Sequence, residues 1–210
     1  MRARELLVLF FVTASQTTIA APASAEWFID AYVGPAFTQS EAFDHGPNLP
    51  AHTHYNAVVS GGGRAGYYFD FWPYLGLAID ASHYQPEGKF SGGGSGFRFD
   101  ARVTGLSLDA MLRLPLFTSK NFPKGQLQPY LTVGPGVYFS HLKIHPTPIF
   151  GSADSDTSAG VKVGTGISWM FAQNIGLLAE YRFSHFSANF LGFDTDVNTH
   201  RLQFGGTFRF

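Results

Sequence analysis

The chain has 210 residues, of which 14% are charged, 16% are aromatic and 24 are glycine, and its mean hydropathy is +0.01. A soluble domain usually carries about 25% charged residues, so surface that is normally charged is expected to face something apolar. The net charge of −1 gives no basic field for nucleic acid, and the absence of cysteine leaves no disulfide framework or thiol chemistry.

Arg2 and Arg4 precede the apolar run LLVLFFV, and Ala23-Ser24-Ala25 before Glu26 has the small-x-small form that a signal peptidase cuts. The run is too short to span a bilayer. Residues 1–25 are therefore read as a cleaved secretory signal, and residues 26–210 as one domain. Beyond residue 25 no apolar stretch reaches the roughly 18 residues that a membrane helix needs.

Eight segments with a period of two follow in chain order. WFIDAYVGPAF places Trp27, Ile29, Ala31, Val33 and Phe37 on one parity and Asp30, Tyr32 and Gly34 on the other. NAVVSGGGRAGYYF sends Val59, Ala65, Tyr67 and Phe69 one way and Ser60, Arg64 and Tyr68 the other. A tight turn, DFWPY, leads to LGLAIDASHY, where Leu77, Ile79 and Ala81 oppose Asp80 and Ser82. TGLSLDAMLRL alternates Leu106, Leu108, Ala110, Leu112 and Leu114 with Ser107, Asp109, Met111 and Arg113. LQPYLTVGPGVYFS, VKVGTGISWMF and IGLLAEYRFSHF come next, and the last segment ends at Phe210. In that segment every second residue from Leu202 is apolar or Gly, while Arg201, Gln203, Thr207 and Arg209 fill most of the other parity. Such strands have one face in oil and one face wet, and each is near the 9 to 11 residues, roughly, that a tilted membrane strand requires.

The connections are unequal. DFWPY and AQN are short, and the link containing Pro115, Pro123 and Gly125 is moderate. QSEAFDHGPNLPAHTHY, QPEGKFSGGGSG, HLKIHPTPIFGSADSDTSAG and SANFLGFDTDVN are long, polar and rich in Gly or Pro. Short turns at one end and long loops at the other are the periplasmic and extracellular ends of an outer-membrane barrel.

LQPYLTVGPGVYFS, AEYRFSHFSANF and the terminal NTHRLQFGGTFRF together resemble the eight-stranded outer-membrane barrel family of opacity-type surface proteins, attachment-invasion-type proteins and OmpA-like membrane domains. The resemblance covers essentially the whole mature chain. It implies an all-β, antiparallel up-and-down transmembrane barrel in the cell outer membrane. Its partners would be outer-membrane lipid and lipopolysaccharide, the barrel assembly machinery and an extracellular ligand taken by the long loops. It implies no cofactor. The closing strand, with Phe204, Phe208 and Phe210, matches the ending that acts as an assembly signal in such barrels. Fold analogy assigns no chemistry by itself.

By parity the inward face carries Asp30, Asp80, Asp109 and Glu180 with Arg64, Arg113, Lys162, Arg182 and Arg201. An eight-stranded barrel is just wide enough for side chains to fill it, so these charges should pair across the lumen and plug it. A DFWPY hairpin symmetric about Trp72 sets Arg64 directly opposite Asp80 and predicts a salt bridge between them. Trp27, Phe69, Trp72, Trp169, Phe171, Phe208 and Phe210 fall near the short-turn end, as an interfacial girdle demands.

His45, His52, His54, His83, His141, His145, His185 and His200 lie in or next to the long loops, among Asp44, Glu87, Asp154, Asp156, Asp194 and Asp196. Protonation between about pH 7 and about pH 5 would add positive charge there. His45 with His52-Thr53-His54 offers ligand types for a divalent transition metal, but the spacing is not diagnostic and solvated loop residues are the reading adopted. One enzymatic alternative is open. His185 and Ser187, on the lipid-facing parity, are similar to the His-x-Ser-Asn pattern of outer-membrane lipid A deacylases. Asn189 follows Ala188 where that pattern has Asn directly after Ser, and only Asp194 or Asp196 is left to orient the histidine. A non-enzymatic surface barrel is the reading adopted.

Overall fold

The structure, a computed structural model, describes residues 26–40, 52–55, 57–92, 95–145, 153–190 and 193–210. Every regular element among them is a strand: β1 Glu26–Ser40, β2 His52–Tyr55, β3 Val58–Tyr68, β4 Leu75–Tyr84, β5 Glu87–Gly92, β6 Ser95–Arg113, β7 Leu127–His145, β8 Ala153–Met170, β9 Ile175–Phe190 and β10 Phe193–Arg209. The proposed signal segment lies outside the described residues.

Eight of these strands form a closed antiparallel barrel in the order β1-β3-β4-β6-β7-β8-β9-β10, and β10 returns to β1. Alternation explains the closure. Each strand hides one parity and exposes the other, so Leu75–Tyr84 reads buried and exposed in strict turn. Closure leaves no edge whose backbone groups would face hydrocarbon unpaired.

The registers fix the geometry. Asp30 pairs with Arg64, Arg64 with Asp80, Asp80 with Ser107, Ser107 with Gly136, Gly136 with Gly160, Gly160 with Phe186, Phe186 with Val197 and Val197 with Ser40. One circuit from Asp30 thus returns to β1 at Ser40, a stagger of 40 − 30 = 10 residues. With strands about 4.8 Å apart and a rise of roughly 3.3 Å per residue, that stagger tilts the strands by roughly 40°.

All four long connections carry more strand than the irregular loops expected: β7 runs to His145, β8 starts at Ala153, β9 runs to Phe190 and β10 starts at Phe193, and the other two hold separate strands. Tyr84 pairs with Val103 and Glu87 with Asp100, so β5 continues β4 in the same register after a break at Gln85-Pro86, where proline has no N–H for the ladder. β2 pairs in turn with β5. The barrel wall therefore rises above the level at which β4 ends. At the other end Gln128 Nε2 donates to the carbonyls of Lys124 and Gly125, tying the 114–126 turn under the barrel mouth. Gly125 has φ +88° there, a left-handed conformation natural to glycine.

Candidate functional site

The lumen is filled in layers. At the bottom Glu26 meets the Arg113 guanidinium at 2.5 Å, Arg209 at 3.5 Å and Lys124 at 3.8 Å. Arg113 also lies 3.7 Å over the Tyr68 ring, and Arg209 donates to Gln128 Oε1. Above this layer Phe28, Tyr68, Ala78, Met111 and Tyr130 pack as an apolar cluster.

The main ionic network follows. Arg64 donates to Asp30 at 2.7 Å and to Glu180 at 3.1 Å. Glu180 also accepts from Arg182 Nε at 2.9 Å and from the Tyr130 hydroxyl at 2.8 Å. Arg182 reaches Asp80 at 3.2 Å and donates at 2.8 Å to the Tyr32 hydroxyl, which itself donates to Asp80 at 2.8 Å. Lys162 sits 3.0 Å from Asp80 and 2.5 Å from Asp109. Arg201 donates to the Ser82 and Ser184 hydroxyls and stands over the Tyr84 ring. A second apolar cluster, Ala36, Tyr84, Val103, Tyr138, Phe186, Ala188 and Val197, caps the network, with Tyr138 and Phe186 stacked at 4.4 Å.

All nine charged residues expected inside face the lumen, none more than 3% exposed. The Arg64–Asp80 salt bridge is a correction. The two are opposite in register, but Asp30 is equally opposite Arg64 from β1, and Arg182 and Lys162 occupy Asp80. Glu26, Gln128, Arg209, Tyr32 and Tyr130 belong to the same machinery, beyond the nine charged residues expected inside. Their inward parity was the available signal, and it is weaker for uncharged Tyr and Gln than for Arg.

The outward face carries Trp27, Trp169, Phe171, Phe208 and Phe210 near the short turns, each close to half exposed. Phe204 is exposed on the same wall, and β1 and β10 close through reciprocal backbone bonds between Trp27 and Phe210, 3.1 Å each way. Higher on the wall His83, His141, His185 and His200 stand on strands and not on free loops. Their Nδ1 atoms meet Thr104 at 2.9 Å, Ser155 at 2.7 Å, Asn198 at 2.8 Å and Tyr181 at 2.7 Å. His45 lies outside the described residues, as do the side chains of His52 and His54, so the metal reading has no geometry. Among the described residues no cluster of three His, Asp or Glu is placed to hold a metal.

His185 and Ser187 do not form a nucleophile and base pair. The Ser187 hydroxyl donates to Asp196 at 2.5 Å, and His185 is held by Asn198. The Ser187 hydroxyl thus points to Asp196 and not to His185, the base that acyl transfer would need beside it.

A family model described as the outer membrane protein beta-barrel domain matches residues 9–210. The crystal structure of Neisserial surface protein A is similar over 89% of this chain and 99% of that one, with a TM-score of 0.60 and 20% identity. That of the outer membrane protein OprG from Pseudomonas aeruginosa is similar over 89% and 96%, with a TM-score of 0.54 and 12% identity. No curated protein matches the chain. At these identities the structural likeness speaks to the fold alone.

Proposed function

Because this chain belongs to the outer membrane protein beta-barrel domain family, we propose that it works as a sealed, non-enzymatic surface barrel whose extracellular connections make its contacts. The protein is located in the outer membrane, among lipid and lipopolysaccharide. The observation that carries the reading is the filled lumen. Ionic layers alternate with apolar ones from Glu26 to Val197, which leaves the extracellular end as the surface for contacts. Closure supplies the anchor, since each of the eight barrel strands pairs with a neighbour on both sides. The signal segment 1–25 and the assembly role of the closing strand are part of the same proposal.

The test shortens the connections at 41–51 and 146–152 separately and compares each variant with the intact barrel in a surface-adhesion or pull-down assay. Barrel insertion is expected to persist while partner capture falls with one of the shortened variants. Capture undiminished by both would remove the proposed role of these loops.

A further inference from the structure

The outward wall carries a shallow groove of about 460 Å³ across β1, β10 and β9, lined by Phe37, Gln39, Tyr181, His200, Arg201 and Leu202. Phe37 pairs with His200 and Gln39 with Asn198 across β1 and β10, and Asn198 pairs with His185 across β10 and β9. Phe37, Gln39, Tyr181, His200 and Leu202 therefore form one continuous patch of the outward surface, while the Arg201 side chain turns into the lumen.

Height assigns the patch to a particular depth. With the ten-residue stagger and a tilt of roughly 40°, the backbones of His83, His185 and His200 come within about 3 Å of one height, about 20 Å above the ring of Trp27, Trp169 and Phe208. The apolar band of such barrels is about 25 Å tall, so the histidines lie at its outer edge, where headgroups begin. Along the groove, Leu202 and Tyr181 lie lowest, Phe37 and His200 higher, and Gln39 highest. Apolar below and polar above is the profile of a lipid standing in the outer leaflet.

The chemistry at the polar end selects the headgroup. The Tyr181 hydroxyl lies 2.7 Å from His200 Nδ1; in the tautomer in which that hydroxyl donates, the ring proton sits on Nε2, which is then a donor. The Phe183 ring, 5.1 Å away, packs beside it. Gln39 adds amide donors, and among the described residues no carboxylate lines the groove. Asp196, higher on β10, is occupied by the Ser187 hydroxyl. A donor-rich groove suits a phosphate and offers little to an ammonium headgroup. His83, at the same height on β4, has both ring nitrogens within bonding distance of Thr104 and Gln85.

We propose that the β1–β10–β9 seam holds one phosphate-bearing lipid of the outer leaflet, its acyl chain along Leu202, Tyr181 and Phe37 and its phosphate against His200 Nε2 and Gln39. The proposal rests on the outer-membrane reading above.

The test is native mass spectrometry of the refolded barrel with bis-phosphorylated lipid A, with its dephosphorylated form and with phosphatidylethanolamine. The wild type should retain one bis-phosphorylated lipid A with about tenfold preference over its dephosphorylated form, as expected for one charge-assisted hydrogen bond, and over phosphatidylethanolamine, whose phosphate is paired with an ammonium. His200→Ala should abolish the preference, and the milder Tyr181→Phe, which frees the tautomer, should weaken it. His83→Ala should leave it intact. Equal retention of the phosphorylated and dephosphorylated lipids, or an undiminished preference in both seam variants, would overturn the site. Membrane fractionation of the same variants reads the localisation separately. A barrel found outside the outer membrane would overturn the reading on which the site rests, whereas loss of lipid selectivity in a correctly located barrel overturns the site alone.

Discussion

Glu180 accepts from Arg64 on β3, Tyr130 on β7 and Arg182 on its own strand, and so joins opposite sides of the lumen through one carboxylate. Replacing one member of a buried pair strands the other charges. Glu180→Gln keeps the shape and removes the charge, so a loss of about 3 kcal/mol is expected in urea unfolding of the refolded barrel. An unchanged midpoint would mean that the network does not hold the lumen. Asp156, above the apolar band, accepts from the Ser158 hydroxyl and from the Asn189 N–H at 3.1 Å, and so links the tops of β8 and β9. The Ser158 bond holds its carboxyl below the ordinary value of 3.8. A depressed native pKa gives a contribution that is present above 3.8 and lost as pH falls through the lower native value. The Asn189 amide should therefore lose protection from hydrogen exchange in that acid range, and in Asp156→Ala already at neutral pH; full protection in that variant would refute the link. At this scale the sequence was legible in parity but not in partnership. Alternation sends Arg64 inward, yet an inward guanidinium meets two strand neighbours and the far wall. Asp30 and Asp80 both flank it, and three-dimensional reach decides between them.

β1 and β10 meet at the closing seam, where Trp27 and Phe210 exchange two backbone bonds. Deleting Phe210 removes that exchange together with the terminal ring, and is expected to lower the heat-modifiable, folded fraction on cold SDS gels severalfold. A normal folded fraction would show that the seam does not depend on the last residue. The β1–β10 and β6–β7 registers lapse at Gly34-Pro35 and beside Gly134-Pro135, since proline lacks a donor and glycine permits close approach. A Cβ on Gly34 would come 1.8 Å from the Leu202 carbonyl oxygen. The strand cores were readable because one face meets oil and period-two alternation is imposed by that solvent. The β5–β6 rise above the membrane was not readable. A strand beyond the bilayer needs no face in oil, so no alternation is demanded of EGKFSG, and its glycines resemble those of any loop.

At the scale of the whole molecule the even strand number, the short turns at one end and the aromatic girdle follow from the bilayer, so the architecture was legible almost entirely. The four alternating layers of the lumen were less so. The apolar cap of Tyr138 and Phe186 shares the inward parity of Arg201 and Lys162, and only the ten-residue stagger brings residues from distant strands to a common height. Eight strands keep the lumen narrow enough for side chains to fill it. The central claim is that the barrel is sealed. Planar-bilayer recording on the refolded protein tests it most directly: the account predicts a baseline free of single-channel steps at either polarity, and steady porin-like openings would contradict it.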